Sequence, residues 1–340
     1  MAKLFAVMLV VLALPLLAPP AQAQNLNEVF GKANPSVVVI RAKGRDVSNV
    51  GVTRFSETGS GVLVSADGKV MTAAHVVNAM DEITVEALGG ERVSAKVIAS
   101  EPAADLSLLQ LVRVPPSMRV AKMADSSRAR VGDQVIVIGA PYGLAHSMSA
   151  GWISARWPPN TVYKSMPLAE FFQTTATINT GNSGGPMFNM AAEVIGIVSH
   201  NISKSGGSEG LGFVVTINTA KKLMLERKSF WSGIDGTMLT GDLAAIFNVP
   251  EPSGFLVKTV AQGSSGWDMG LLGGDKIATI GGQQIAVGGD IILSVDDIAV
   301  GSDDNIEKIR NRLAAEPPGT PFKMKVLRAG KVIELTGKTQ

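Results

Sequence analysis

Across 340 residues, 31 lysines and arginines nearly balance 29 aspartates and glutamates, for a formal net charge of +2. So even a balance gives no electrostatic case for nucleic acid or an anionic membrane surface as partner. There is no cysteine, which excludes a disulfide framework and any thiolate metal site, and the length suffices for two or three domains with cores of their own.

Residues 1–23 read as a secretory signal. Lys3 supplies a short positive n-region, Leu4 to Leu17 is apolar apart from Pro15, and Ala21-Gln22-Ala23 offers small residues for cleavage before Gln24. Removal would leave 30 basic against 29 acidic residues, or +1. The alternative is a retained anchor, although the apolar run is shorter than the ~20 residues a spanning helix wants. Either leader directs the chain out of the cytoplasm, to a secreted or periplasmic location.

Leu26 to Ala33 has the makings of a short helix, and Pro35 starts a strand over Ser36 to Arg41. Ala42 to Thr58 mixes Gly, Ser and charges and reads as a loop. A hairpin follows, Gly61 to Ser65 with Lys69 to Ala73, turning at Asp67-Gly68. Short strands recur at Val85 to Ala87, Val93 to Ala99, Leu106 to Val112, Gln134 to Ile138 and Ser149 to Ala155. Thr219 to Lys228 has helical spacing. Beyond it, Ser253 to Val260 reads as a strand and Ser264 to Leu271 as a short helix. Asp303 to Leu313 is a helix with Asp303-Asp304 at its cap and Ile306, Ile309 and Leu313 on one face. Thr320 to Leu327 and Val332 to Leu335 form a last hairpin around Arg328-Ala329-Gly330. Regular short strands with Gly and Pro punctuation point to all-β barrels rather than α/β units. Neither Asp303-Asp304 nor the Asp296-Asp297 turn has the ligand pattern of a calcium loop, and no cofactor is indicated.

The chemistry concentrates at Thr180-Gly181-Asn182-Ser183-Gly184-Gly185-Pro186. Small residues around Ser183 let the backbone turn tightly, expose the hydroxyl and aim N–H groups at one point. Such a turn alone could be structural, but a hydroxyl becomes a nucleophile when a base takes its proton. His75 lies in Met71-Thr72-Ala73-Ala74-His75-Val76-Val77, and Asp105 opens the alternating strand Asp105-Leu106-Ser107-Leu108-Leu109. The order His, Asp, Ser is that of the chymotrypsin-type triad. His146 and His200 have no comparable setting and read as surface or packing histidines.

On Gly59-Ser60-Gly61-Val62-Leu63-Val64, Thr72-Ala73-Ala74-His75-Val76-Val77, Asp105-Leu106-Ser107-Leu108-Leu109, Gly181-Asn182-Ser183-Gly184-Gly185-Pro186 and Gly212-Phe213-Val214-Val215, the chain resembles the HtrA/Deg serine proteases. The resemblance implies a mostly β fold: a chymotrypsin-like double β-barrel at 24–229, then one α+β PDZ-like domain at 230–340. It implies His75 as general base, Asp105 as its orienting partner, and an oxyanion hole from the backbone N–H groups of Gly181, Ser183 and also Asn182. Where digestive trypsins carry an acid, six residues before the serine, this chain has Thr177. With Ile178, Ile197 and Ser199 expected in the pocket wall, small or medium apolar P1 residues are favoured over basic ones. Thr175 and Thr180 depart from the family's usual aspartate and its frequent proline or arginine.

In the C-terminal part, Trp231, Ser232, Gly233 and Ile234 match the family's carboxylate-binding loop, where successive N–H groups form a nest for a peptide C-terminus. A plain interdomain linker is the competing reading. Gly273-Gly274-Asp275-Lys276-Ile277 is echoed by Gly288-Gly289-Asp290-Ile291-Ile292, which implies an extra β segment beside the groove. The expected partners are unfolded or misfolded polypeptides and peptide C-termini. The resemblance also implies a homo-oligomer built on trimers, with Phe30 the candidate N-terminal aromatic. The main expectation is an endopeptidase that degrades misfolded proteins; the alternative is a peptide-binding chaperone or sensor with a weak or silent protease site.

Overall fold

The computed structural model describes residues 25–227 and 229–339; the signal-like segment 1–23 lies outside them. The helix α1 (Leu26–Ala33) begins at Asn25, whose side chain accepts from the Asn27 N–H at 3.0 Å. Six strands follow: β1 (Val37–Ser48), β2 (Gly51–Leu63), β3 (Lys69–Thr72), β4 (Met80–Glu86), β5 (Arg92–Glu101) and β6 (Leu106–Leu111). They close as β1-β2-β3-β6-β5-β4 into a barrel, with α2 (Ala74–Val77) between β3 and β4. Val38, Ile40, Leu63, Val70 and Leu109 supply much of its filling.

The segment expected as a loop at Ala42 to Thr58 is instead the outer half of a long hairpin. β1 and β2 stay paired from Val37↔Val62 out to Ser48↔Gly51, with only Asn49-Val50 turning. Its residues lack apolar alternation because most of this ribbon stands clear of the barrel interior. Backbone pairing holds it where side-chain burial does not.

The second barrel comprises β7 (Lys122–Met123), β8 (Gln134–Gly139), β9 (Ser147–Trp157), β10 (Phe171–Thr174), β11 (Pro186–Asn189), β12 (Glu193–Asn201) and β13 (Gly212–Thr216). The order β11-β8-β9-β10-β13-β12 is closed by β11–β12 pairing into a ring of six, and β7 adds in parallel outside β12. A core containing Val62, Met71, Leu106, Ile138, Phe188 and Ile197 runs between the two barrels. The chain thus has the chymotrypsin-like double barrel. After it, α3 (Ile217–Lys221) passes into a wider π-turn over Lys222–Glu226, a shorter regular helix than its spacing predicts.

The C-terminal unit holds β14 (Ile234–Thr240), α4 (Gly241–Ile246), β15 (Ser253–Val260), α5 (Ser265–Asp268), β16 (Lys276–Ile280), β17 (Gln283–Val287), β18 (Ile291–Val295), β19 (Ile298–Ala299), α6 (Asp303–Ala315), β20 (Pro321–Arg328) and β21 (Lys331–Lys338). Its sheet runs β14-β15-β18-β20-β21, with β19 on β18. The N-cap of α6 is Ser302, whose side chain accepts from the Asn305 N–H. The extra segment between the two Gly-Asp steps is the β16–β17 hairpin, which packs toward β1 and β2. Asp290 of the second step is buried and held bidentately by Arg328, both contacts 2.7 Å, so this step is a structural clasp.

Several ties hold this unit to the first barrel. The Trp231 indole packs into the barrel's core and donates to the Asn78 carbonyl at 2.9 Å. Arg310 of α6 pairs with Glu101 at 2.6 Å and also donates to the Ser100 carbonyl. Arg45 joins Asp81 through two contacts of 2.8 and 3.1 Å and reaches the Val260 carbonyl at 3.0 Å.

Candidate active site

His75 is the second residue of α2, and its neighbours Ala73, Ala74, Val76 and Val77 are buried in or against the first barrel. Asp105 ends the 3-10 turn Pro102–Ala104 with φ 52°, a left-handed conformation unusual for a residue with a Cβ. That turn brings its carboxylate under the imidazole. His75 Nδ1 lies 2.9 and 3.0 Å from the two Asp105 oxygens, and the His75 backbone N–H donates to Oδ1 at 3.1 Å. Ser199, near the end of β12, donates its hydroxyl to Asp105 Oδ2.

These contacts set the charges. Burial pulls the His75 pKa down, but the Asp105 hydrogen bond and charge, with the Glu57 charge beside them, outweigh it and leave the pKa above 6.5. Burial pushes the Asp105 carboxyl up, yet the His75 and Ser199 bonds more than offset this and hold it below its ordinary value.

Ser183 stands between Gly181 (φ 100°) and Gly184 (φ 80°), and neither position tolerates a side chain. A Cβ on Gly181 would lie 2.2 Å from the Ala140 oxygen, and one on Gly184 would lie 2.1 Å from Thr72 Oγ1. Ser60 ties the loop together: its hydroxyl donates to the Gly181 carbonyl at 2.7 Å and accepts from the Ala140 N–H at 2.9 Å. Its N–H donates to the Ser183 carbonyl at 2.8 Å. The N–H groups of Gly181 and Ser183 meet no acceptor among the described residues, as an oxyanion-binding pair requires. Asn182 does not join them, because its N–H is taken by the Asn179 carbonyl at 3.0 Å. The Ser183 hydroxyl donates to the Ser199 carbonyl at 3.2 Å, and no hydrogen bond joins it to His75.

The expected pocket wall needs correcting. Thr177 is exposed, with its carbonyl accepting from Ser149 Oγ at 2.8 Å. Ile178 is packed in the second-barrel core and Ile197 in the core between barrels, so neither side chain lines an open pocket. Ile197 sits on the core-facing side of β12 and Ile178 tucks inward from the loop after β10, a choice the apolar residues alone do not reveal. Only Ser199 of the four reaches the site.

His200 joins the site through Ser199. It is a packing histidine, stacked on Phe213 at 5.5 Å and edge-on to Tyr163 at 4.1 Å, but its Nδ1 lies 2.8 Å from Ser199 Oγ. Since Ser199 donates its one proton to Asp105, His200 donates to Ser199. Burial drives its pKa down to about 4, so it is neutral. Its partners Tyr163, Phe171 and Phe213 are scattered along the sequence, and no local motif announces them. His75, Asp105 and His200 border one cavity of ≈ 580 Å³, whose far side is formed by Arg45, Asp46, Phe55 and Glu57 of the long hairpin and by Asp235 and Lys258. Among the described residues no group of three or more His, Asp or Glu is placed to hold a metal.

A family model for the trypsin-like peptidase domain matches residues 59–197. The periplasmic pH-dependent serine endoprotease DegQ of Escherichia coli (strain K12) is 30% identical over 342 residues, spanning 94% of this chain and 70% of DegQ. This chain belongs to the HtrA/Deg family of trypsin-like serine endoproteases. A probable periplasmic serine endoprotease, DegP-like, of Pseudomonas putida (strain GB-1) is 36% identical over 261 residues. That match covers 74% of this HtrA/Deg chain but 53% of the relative, so the chain spans about half the length of such DegP-like proteins. Among solved structures, the HtrA-type protease AlgW with decapeptide aligns at TM-score 0.52 and 26% identity, covering 92% of this chain and 97% of AlgW. AlgW with tripeptide aligns at TM-score 0.51 and 28% identity, covering 92% and 95%.

Proposed function

We propose that this chain is a periplasmic endopeptidase that cleaves unfolded or misfolded polypeptides with Ser183 as nucleophile, His75 as base and Asp105 as the group that orients it. The observation that carries this reading is His75 Nδ1 held by both Asp105 oxygens beside a serine whose neighbouring N–H groups are free. With Nδ1–H committed to Asp105, Nε2 carries the lone pair that can take the Ser183 proton. Oγ then bonds the scissile carbonyl carbon, and the oxygen takes its charge against Gly181 and Ser183 N–H. Collapse expels the amine, which receives the proton from His75 and leaves an acyl-enzyme. Water, deprotonated by the same imidazole, hydrolyses that ester. The P1 side chain is small or medium and apolar, because no carboxylate occurs in Thr177–Thr180 or Ser199–Asn201 to pair with a base.

The domain boundaries follow the same reading: a signal at 1–23, the protease at 24–229, and a PDZ-like domain at 230–340 that takes peptide C-termini. The N–H groups of Ser232 and Gly233 have no acceptor among the described residues, and that of Ile234 reaches Ser232 Oγ at 3.4 Å. They open on a groove of ≈ 370 Å³ lined by Phe230, Phe255, Ile292, Val295, Ile306 and Ile309, suited to an apolar last residue. The extra β16–β17 hairpin contributes nothing to that lining. Trp231 borders the groove, but its indole is an anchor in the first barrel rather than a carboxylate ligand. A homo-oligomer built on trimers rests on the family resemblance; Phe30 packs against the core between barrels rather than standing free.

The second reading, a chaperone or sensor with a silent site, is favoured by the bond from Ser183 to Ser199 in place of one to His75. Digestion of unfolded β-casein by the wild type and by Ser183→Ala separates the two. Cleavage lost in the variant supports the endopeptidase. No cleavage by either, with aggregation suppressed by both, supports the chaperone.

A further inference from the structure

Strand β2 of the long hairpin brings two side chains to the candidate active site that the mechanism above does not use. Along β2 the register pairs Phe55 with Gly44 and Glu57 with Ala42, so Phe55 and Glu57 share one face of the ribbon. The small partners make that face possible. A Cβ on Gly44 would lie 3.1 Å from the Phe55 ring and 2.7 Å from Met80 Sδ, so the ring and the thioether close over the bare backbone. Phe55, Glu57 and Met80 together border the cavity that holds His75.

Charge singles out Glu57. The cavity is lined by four carboxylates, Asp46, Glu57, Asp105 and Asp235, against two cations, Arg45 and Lys258. Arg45 is committed to Asp81 and the Val260 carbonyl. Lys258 is committed to Asp46 at 2.8 Å, with Asp235 at 4.0 Å. Asp105 is occupied by His75 and Ser199. The carboxylate of Glu57, a half-buried residue, makes no ion pair or hydrogen bond with any described residue. A carboxylate partly withdrawn from water in a net negative cavity favours a cation at that point. The flanking Phe55 ring and Met80 suit the apolar stem of a lysine or arginine, whose head then reaches Glu57.

The side of the scissile bond follows from the nucleophile. Ser183 Oγ touches the Ser199 carbonyl, so the acyl residue attached to Oγ lies against β12, whose carbonyl can accept its N–H. The amine expelled toward His75 then continues along the opposite wall, which is β2. On the endopeptidase reading above, we propose that Glu57, with Phe55 and Met80, forms a subsite for a lysine or arginine side chain on the leaving-group side of the cleaved bond.

The test uses the full chain and quenched fluorescent peptides with a constant acyl half, carrying Lys, Gln or Glu at each of the first three leaving-group positions. For the wild type, Lys should exceed Gln about tenfold in kcat/KM at one position, as expected for a hydrogen bond to a charged group. Glu57→Gln should bring the ratio near one, and Glu57→Lys should turn the preference to Glu. A Lys/Gln ratio unchanged by both variants overturns the subsite. The same peptides titrated onto Ser183→Ala read the preference as a ratio of Kd values. Absence of cleavage therefore counts against the endopeptidase reading, while the binding ratio still decides the role of Glu57.

Discussion

The hydroxyl of Ser183 donates to the carbonyl of Ser199, 3.2 Å away, so the proposed nucleophile rests on the strand that would receive the acyl half of a peptide. A substrate N–H that takes over the Ser199 oxygen releases the hydroxyl to turn toward His75. Nucleophile activation is then coupled to occupancy of the strand edge. Ser183→Ala should lower kcat by about 10⁶, His75→Ala comparably, and the double variant little further, since the residues act as a unit. Losses that add in single-turnover assays would show that the two do not cooperate.

The raised pKa of His75 fixes the sign of the pH dependence. The imidazole must be neutral to accept the Ser183 proton, so kcat/KM should fall as pH drops through a value above 6.5. Glu57 is one of the charges that raise it. Glu57→Gln should therefore move the acid limb to lower pH. A profile on an uncharged substrate that is flat from pH 5 to 8 would exclude a histidine base.

Ser199→Ala removes the hydroxyl that Asp105 Oδ2 accepts while leaving the Ser199 carbonyl in place. A hydrogen bond to a charged group is worth about 1.5–3 kcal/mol, so kcat should fall roughly 10- to 100-fold. The acid limb should shift as well, because Asp105 loses a donor that holds it ionised. An unchanged pH profile with a merely lower melting temperature would reduce Ser199 to a packing role.

Arg310 and Glu101 form a largely buried pair between α6 and the end of β5, immediately before the turn that delivers Asp105. Arg310→Ala strands the Glu101 charge and should cost about 3–5 kcal/mol. Arg310→Met with Glu101→Leu should recover most of that loss. Urea unfolding of the full chain measures both.

Gly233→Val meets a direct obstacle, since a Cβ there would lie 2.2 Å from Ser264 Cβ. The loop must shift, which should abolish binding of a peptide acid while cleavage of a short unfolded peptide persists. Titration of Ser183→Ala with a peptide acid and its amide tests the premise. Equal affinity for both would mean that no carboxylate is read.

Much of this was legible in the sequence, for identifiable reasons. Ser183, His75 and Asp105 each sit in a short motif, and the buried strands carry β-branched runs that survive any neighbour. The outer hairpin was not legible: Ala42 to Thr58 mixes glycine, serine and charges without regular apolar alternation, and its strands are specified by each other. The pocket wall failed for a different reason, because an apolar residue such as Ile178 or Ile197 states that it is buried and not on which side. His200 lay beyond reach because its setting is assembled from Tyr163, Phe171 and Phe213, brought together only by folding.

The Trp231 anchor has a practical consequence. Of the chain's four tryptophans, Trp152, Trp157 and Trp267 are 54%, 38% and 43% exposed, whereas Trp231 is 8% exposed and held at the junction of the two units. Its indole is the one whose surroundings change from apolar to aqueous when the units part. In a chain with the other three replaced by phenylalanine, the emission wavelength becomes a direct optical gauge of undocking, readable in real time while a peptide is added.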